Sequence, residues 1–87
     1  MMNDLDKKIT LVAEILKLSI EITNNSDTDV FCDYSGHVNG LTVRVLLNGW
    51  TPDYTEPDYY KNIYLDRTTV NELEEVINYL KGELKWN

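Results

Sequence analysis

Apolar residues recur at helical spacing near the start of the chain. Leu5, Ile9, Val12, Leu16 and Ile20 form one stripe, and Leu11, Ile15, Leu18 and Ile22 form a second beside it. The pattern predicts a helix from about Asp4 to Thr23, capped by Asn3 or Asp4. A helix lying on one sheet usually buries a single stripe. The second stripe therefore points either to a helix buried on two sides or to one shared with a second subunit, and a homodimer is the expectation. Asn24-Asn25-Ser26-Asp27 is dense turn chemistry that stops the helix.

The period then changes to two. Asn39-Gly40 is a favoured pair for a two-residue hairpin turn, and a turn there pairs Val38 with Leu41, Tyr34 with Val45 and Cys32 with Leu47. One face then carries Val30, Cys32, Tyr34, Val38, Leu41, Val43, Val45 and Leu47. The other carries Phe31, Asp33, Ser35, His37, Thr42, Arg44 and Leu46. Asn48-Gly49 ends the second strand, and a loop with Pro52 and Pro57 follows. A third strand is expected from about Tyr60 to Leu65, with Ile63 and Leu65 toward the core and Tyr64 toward the polar face. Thr69-Val70-Asn71-Glu72 has capping-box spacing and opens a last helix with Val70, Leu73, Val76, Ile77, Leu80 and Leu84 on its apolar side. Gly82 is expected to end it in a left-handed cap, leaving Leu84 and Trp86 in a short tail. The fold class is α+β, in the order α-β-β-β-α: a three-stranded antiparallel sheet with two helices on one face. Val43, Val45, Leu16 and Val76 are the expected core.

Eighty-seven residues, 43% hydrophobic and 26% charged, make a single globular domain over residues 1–87, because a second core would not fit. The net charge of -7 disfavours nucleic acid and anionic membrane, whose binding needs Lys and Arg, and favours a basic protein surface. A single cysteine, Cys32, allows no intrachain disulfide. With no signal-like segment and no apolar run near ~20 residues, the reading is a cytoplasmic protein with no membrane span.

Three constellations carry candidate chemistry. The first is acidic: the hairpin brings Asp27 and Asp29 toward the loop bearing Asp53, Glu56 and Asp58. These carboxylates serve solubility, meet a basic partner, or bind a divalent cation through oxygen. The second is aromatic: Trp50, Tyr54, Tyr59, Tyr60 and Tyr64 alternate with acids, as interface anchors often do. Tyr54, between the two prolines, is the expected exposed anchor, whereas Trp50 fits either the core edge or an interface. The third is the outer sheet face, with Phe31, Leu46 and Tyr64 around Arg44, and Arg44 within reach of Asp33. The candidate partner-binding residues are thus Asp27, Asp29, Phe31, Arg44, Trp50, Asp53, Tyr54, Glu56, Asp58 and Tyr64.

Catalytic sets, a His/Cys metal site, a P-loop and a dinucleotide fingerprint are missing from the sequence, so the expectation is a non-enzymatic protein with no cofactor. His37 reads as a solvated strand-end residue and Cys32 as an inert thiol on the apolar face. The element order is shared with double-stranded-RNA-binding domains, but the last helix opens with Glu72, Glu74 and Glu75 where those domains carry lysines.

The stretch from Asp33 through Val45, followed by Asn48-Gly49-Trp50 and the Asp- and Tyr-rich loop, resembles a family of small proteins from phages and prophages of Gram-positive bacteria. The resemblance implies a genetic context and no catalytic residues. Small acidic phage proteins of this size include inhibitors of host defence such as anti-CRISPR proteins, some of which present carboxylates to sites made for phosphates. It therefore implies a host nucleic-acid-acting protein as the partner. The alternatives are a homo-oligomeric phage accessory protein and a small-ligand or metal-binding module.

Overall fold

A computed structural model describes residues 3–84. Helix α1 runs Asp4–Asn25, strands β1, β2 and β3 run Asp29–Ser35, Gly40–Leu46 and Tyr59–Tyr64, and helix α2 runs Val70–Gly82. The strands form one antiparallel sheet in the order β1-β2-β3. The architecture is the expected α+β arrangement.

Local chemistry explains the boundaries. Asn3 caps α1 by accepting the Asp6 N–H at 2.8 Å. The helix outlasts its expected end at Thr23 by two residues, because Asn24, Asn25 and Ser26 turn their side chains back onto carbonyls four residues earlier. Thr69 and Glu72 form the complete capping box of α2. Gly82 is still helical, followed by Glu83 in right-handed geometry, so the left-handed cap is absent. Trp86, expected in the tail, lies outside the described residues.

One core joins both helices to one sheet face. Ile15, Leu18 and Ile22 of α1 meet Leu41, Val43, Val45 and Ile63 of the sheet and Leu73, Val76 and Leu80 of α2. Tyr59 extends it by stacking on Tyr79 of α2, with ring centroids 3.9 Å apart. Lys8 is buried as well, its ammonium donating to the Leu65 carbonyl at 2.9 Å and lying 3.2 Å from Asp4. Leu16 is not core: it is 48% exposed, as are Leu5, Ile9 and Ile20 to similar degrees. The Leu11–Ile22 stripe took the core and left the Leu5–Ile20 stripe outside.

The hairpin register also differs from expectation. Tyr34 pairs with Leu41 and Cys32 with Val43, a shift of four residues from the pairings with Val45 and Leu47. The connection is a 3-10 turn over Gly36–Val38, closed by the Asn39 N–H on the Gly36 carbonyl and by the Tyr34 hydroxyl on Asn39 Oδ1 at 2.7 Å. Asn39 does take the positive φ of 53°, but Gly40 is already in the strand, close beneath the Tyr64 ring. Four is an even number, so each side chain keeps its face. The apolar-face residues at the ends lose their cover: Val38 falls in the turn, Leu47 passes the end of β2, and Tyr34 and both of these are exposed. Leu46 differs in the other direction. It lies on the outer face yet is buried, at the end of β2 where the following loop folds over.

Candidate interaction surface

The loop after β2 is held by backbone bonds to carboxylates. A turn at Leu46–Gly49, with Gly49 at φ 85°, starts it. A Cβ at Gly49 would stand 3.0 Å from the Asp27 carbonyl, so any other residue is strained there. Asp29 then accepts the Trp50 N–H at 2.7 Å, and Asp58 accepts the Leu47 N–H at 2.8 Å while its own N–H donates to the Val45 carbonyl at 2.9 Å. The two carboxylates thus close the loop at its root.

Two of the five candidate acids are therefore structural elements of the loop. Asp27, Asp53 and Glu56 are exposed and accept no side-chain hydrogen bond among the described residues. Lys61 does not join them: it is half-buried on β3, facing Val43, near enough to Glu72 to help hold that carboxyl low. No three His, Cys, Asp or Glu side chains among the described residues come together as a metal would require.

Trp50 is 53% exposed, which places it outside the core. Tyr54 reverses its expectation. It is half-buried, and its hydroxyl lies 3.3 Å from an Arg44 guanidinium nitrogen, so it holds the loop against the sheet instead of standing free.

Arg44 organises the outer face. Its guanidinium stands 4.7 Å from the Phe31 ring, pairs with Asp33 at 3.4 Å, and takes the Tyr54 hydroxyl on its other side. Its charge is already shared among these neighbours. Tyr60, its partner on β3, is 56% exposed and adds an aromatic to this surface. The alternation that put Tyr64 outward also puts Tyr60 outward, so the sequence carried that signal. Tyr64 itself does not join the cluster. It pairs with Gly40, four strand positions or about 13 Å from Arg44, and stacks under Arg67.

Of the remaining chemistry, Cys32 is half-buried on the core side. Burial, then the Asp33 charge, push its thiol up, while the Ser19 hydroxyl works against them. Such a thiol is a poor nucleophile. His37 is exposed at the turn. No helix among the described residues is long and apolar enough to cross a membrane.

The assembled surface is an acidic loop, held at its root by Asp29 and Asp58 and against the outer sheet face by Tyr54, with Trp50 exposed at its start and Tyr60 exposed on β3. Comparison of the chain with family models, with curated proteins and with solved structures finds no match.

Proposed function

We propose that this protein is a non-enzymatic, phage-type interaction protein that acts in the cytoplasm and inhibits a host nucleic-acid-acting defence protein by laying its acidic, aromatic loop on a basic surface. The observation that carries the reading is Trp50. A large indole, half exposed, stands on a loop whose root is fixed by Asp29 and Asp58 and whose rim bears Asp53 and Glu56, with Asp27 beside it. Interfaces draw most of their energy from such anchors, and ordering the loop beforehand removes part of the entropic cost of binding. The net charge of -7 supplies long-range attraction to a basic target and repulsion from nucleic acid itself. The resemblance of the central stretch to phage and prophage proteins supports the host setting.

The test is affinity capture from a Gram-positive host lysate at low and high salt, with the wild type beside Trp50→Ala. The reading expects a basic, nucleic-acid-acting protein retained at low salt, released at high salt, and lost with Trp50→Ala. Equal capture by both baits places any interface elsewhere.

A further inference from the structure

The exposed stripe of α1 does not stand alone. It runs beside the free edge of β1. An open groove of about 420 Å3 separates Leu5, Ile9 and Val12 from Tyr34, and a second of about 280 Å3 separates Leu16 and Ile20 from Val30 and Cys32. The helix therefore runs antiparallel to β1, with one groove toward each end of the strand, the first also walled by Asn39 and Leu65. Helix α2 flanks α1 on the side of Leu11 and Glu14, away from this stripe. Leu5, Ile9, Leu16, Ile20 and Tyr34 are each about half exposed along these grooves, more than the single scattered apolar residues of an ordinary surface.

Among the described residues no strand pairs with this edge of β1, and α1 hydrogen-bonds to its backbone through Thr23 alone. The Val30 N–H is taken by Thr23 Oγ1 at 3.0 Å, so its backbone N–H points away from β2 while its side chain stays on the core face. By antiparallel alternation, Cys32 and Tyr34 turn their N–H and C=O groups the same way. None of the turn and loop backbone bonds among the described residues reaches them.

We infer that a second copy of this chain occupies this edge. Two β1 strands related by a two-fold axis at Cys32 pair antiparallel, each Cys32 exchanging both backbone bonds with the other and each Tyr34 N–H reaching the opposite Val30 carbonyl. The two sheets then become one of six strands. The axis stands perpendicular to the sheet, so both α1 helices lie side by side on the same face, antiparallel, with their outer stripes together. The spacing Leu5, Ile9, Val12, Leu16 is the 4-3-4 pattern of a helix–helix seam.

Charge favours a like copy over a basic partner here. Of the six charged side chains between Leu5 and Thr23, Lys7, Glu14, Lys17 and Glu21 turn away from the stripe, Lys8 is buried against the Leu65 carbonyl and Asp4, and Asp6 flanks the start of the stripe. The one acid lining the groove, Asp33, is paired with Arg44. Two chains of charge -7 repel least where the facing surfaces carry the fewest net charges. Pairing also covers an edge strand otherwise open to aggregation. This face is separate from the Trp50 loop, and the inference stands or falls independently of it.

Light scattering across a concentration series, with amide hydrogen exchange, tests this on the full chain. The expected wild-type mass is twice the 10.1 kDa of one chain. Leu16→Glu, at an already exposed site, is expected to return the single-chain mass with an unchanged circular dichroism spectrum, and Ile20→Lys serves if it misfolds. The Cys32 and Tyr34 amides are expected to exchange at least tenfold more slowly in the wild type than in the monomeric variant. A single-chain wild-type mass at the highest concentration overturns the inference and leaves the face to a different protein. So does a dimer that survives both substitutions, or one whose Cys32 and Tyr34 amides exchange as fast as in the monomer.

Discussion

The Asp29 carboxylate at the start of β1 accepts the Trp50 backbone N–H at 2.7 Å. A residue at the root of the sheet thus fixes where the loop's indole begins. Asp29→Ala removes that acceptor and is expected to cost about 1 kcal/mol in chemical denaturation, the size of one net hydrogen bond at an exposed site. In a Trp86→Phe background, Trp50 fluorescence anisotropy is expected to fall with it, since the loop root loosens.

Glycine at position 49 is favoured by two observations together, the φ of 85° and the 3.0 Å approach of a Cβ to the Asp27 carbonyl. Gly49→Ala is expected to destabilise by about 1–2 kcal/mol, because left-handed geometry and a backbone clash act at one site. Gly40→Val is expected to cost about 1 kcal/mol or more for a different reason. Its Cβ would stand 3.3 Å from the Tyr64 ring and the Val38 side chain, within a strand where φ is ordinary. Urea midpoints for the two variants measure both effects.

Val43→Ala, Val45→Ala and Val76→Ala each open a fully buried site and are expected to cost about 1–4 kcal/mol at any protein concentration. Leu16→Ala removes a half-exposed side chain and touches no such site. Its effect is expected within about 0.5 kcal/mol in dilute protein, and to grow with concentration as self-association is lost. Thermal melts at two concentrations separate the two kinds of residue.

The α2 cap gives a pH signature. The Thr69 backbone N–H, then the Thr68 hydroxyl, hold the Glu72 carboxyl below the usual range. A carboxyl with a lowered folded pKa stabilises the fold above its unfolded pKa of about 4.3, and that contribution is lost as pH falls through the folded value. Stability is therefore expected to decline as pH falls below about 5, and Glu72→Gln to decline less steeply over the same window.

The element order, both faces of the sheet and the α2 capping box were legible in the sequence, because period and capping chemistry are local. The register was not. Asn39-Gly40 gave a valid turn signal, and the positive φ at Asn39 is real, but the Tyr34 hydroxyl on Asn39 and the Tyr64 ring over Gly40 select the longer turn through contacts no local rule contains. Which α1 stripe is buried was equally hidden: the two are alike in composition, and only packing against α2 separates Leu18 from Leu16. The acidic cluster was read as one unit. Hydrogen-bond geometry divides it, giving Asp29 and Asp58 to the loop's own backbone and leaving Asp27, Asp53 and Glu56 outward.

That division defines the most direct measurement. With the captured partner in hand, association and dissociation rates are measured across a salt series for the wild type, for Asp27→Asn/Asp53→Asn/Glu56→Gln, and for Trp50→Ala. The triple variant leaves the loop's root intact and is expected to slow association and flatten its salt dependence, since steering follows the summed field. Trp50→Ala is expected to raise the dissociation rate roughly tenfold or more with the salt slope kept, as loss of a buried anchor does. Rates unchanged in both variants would contradict the assignment of the Trp50 loop as the binding surface.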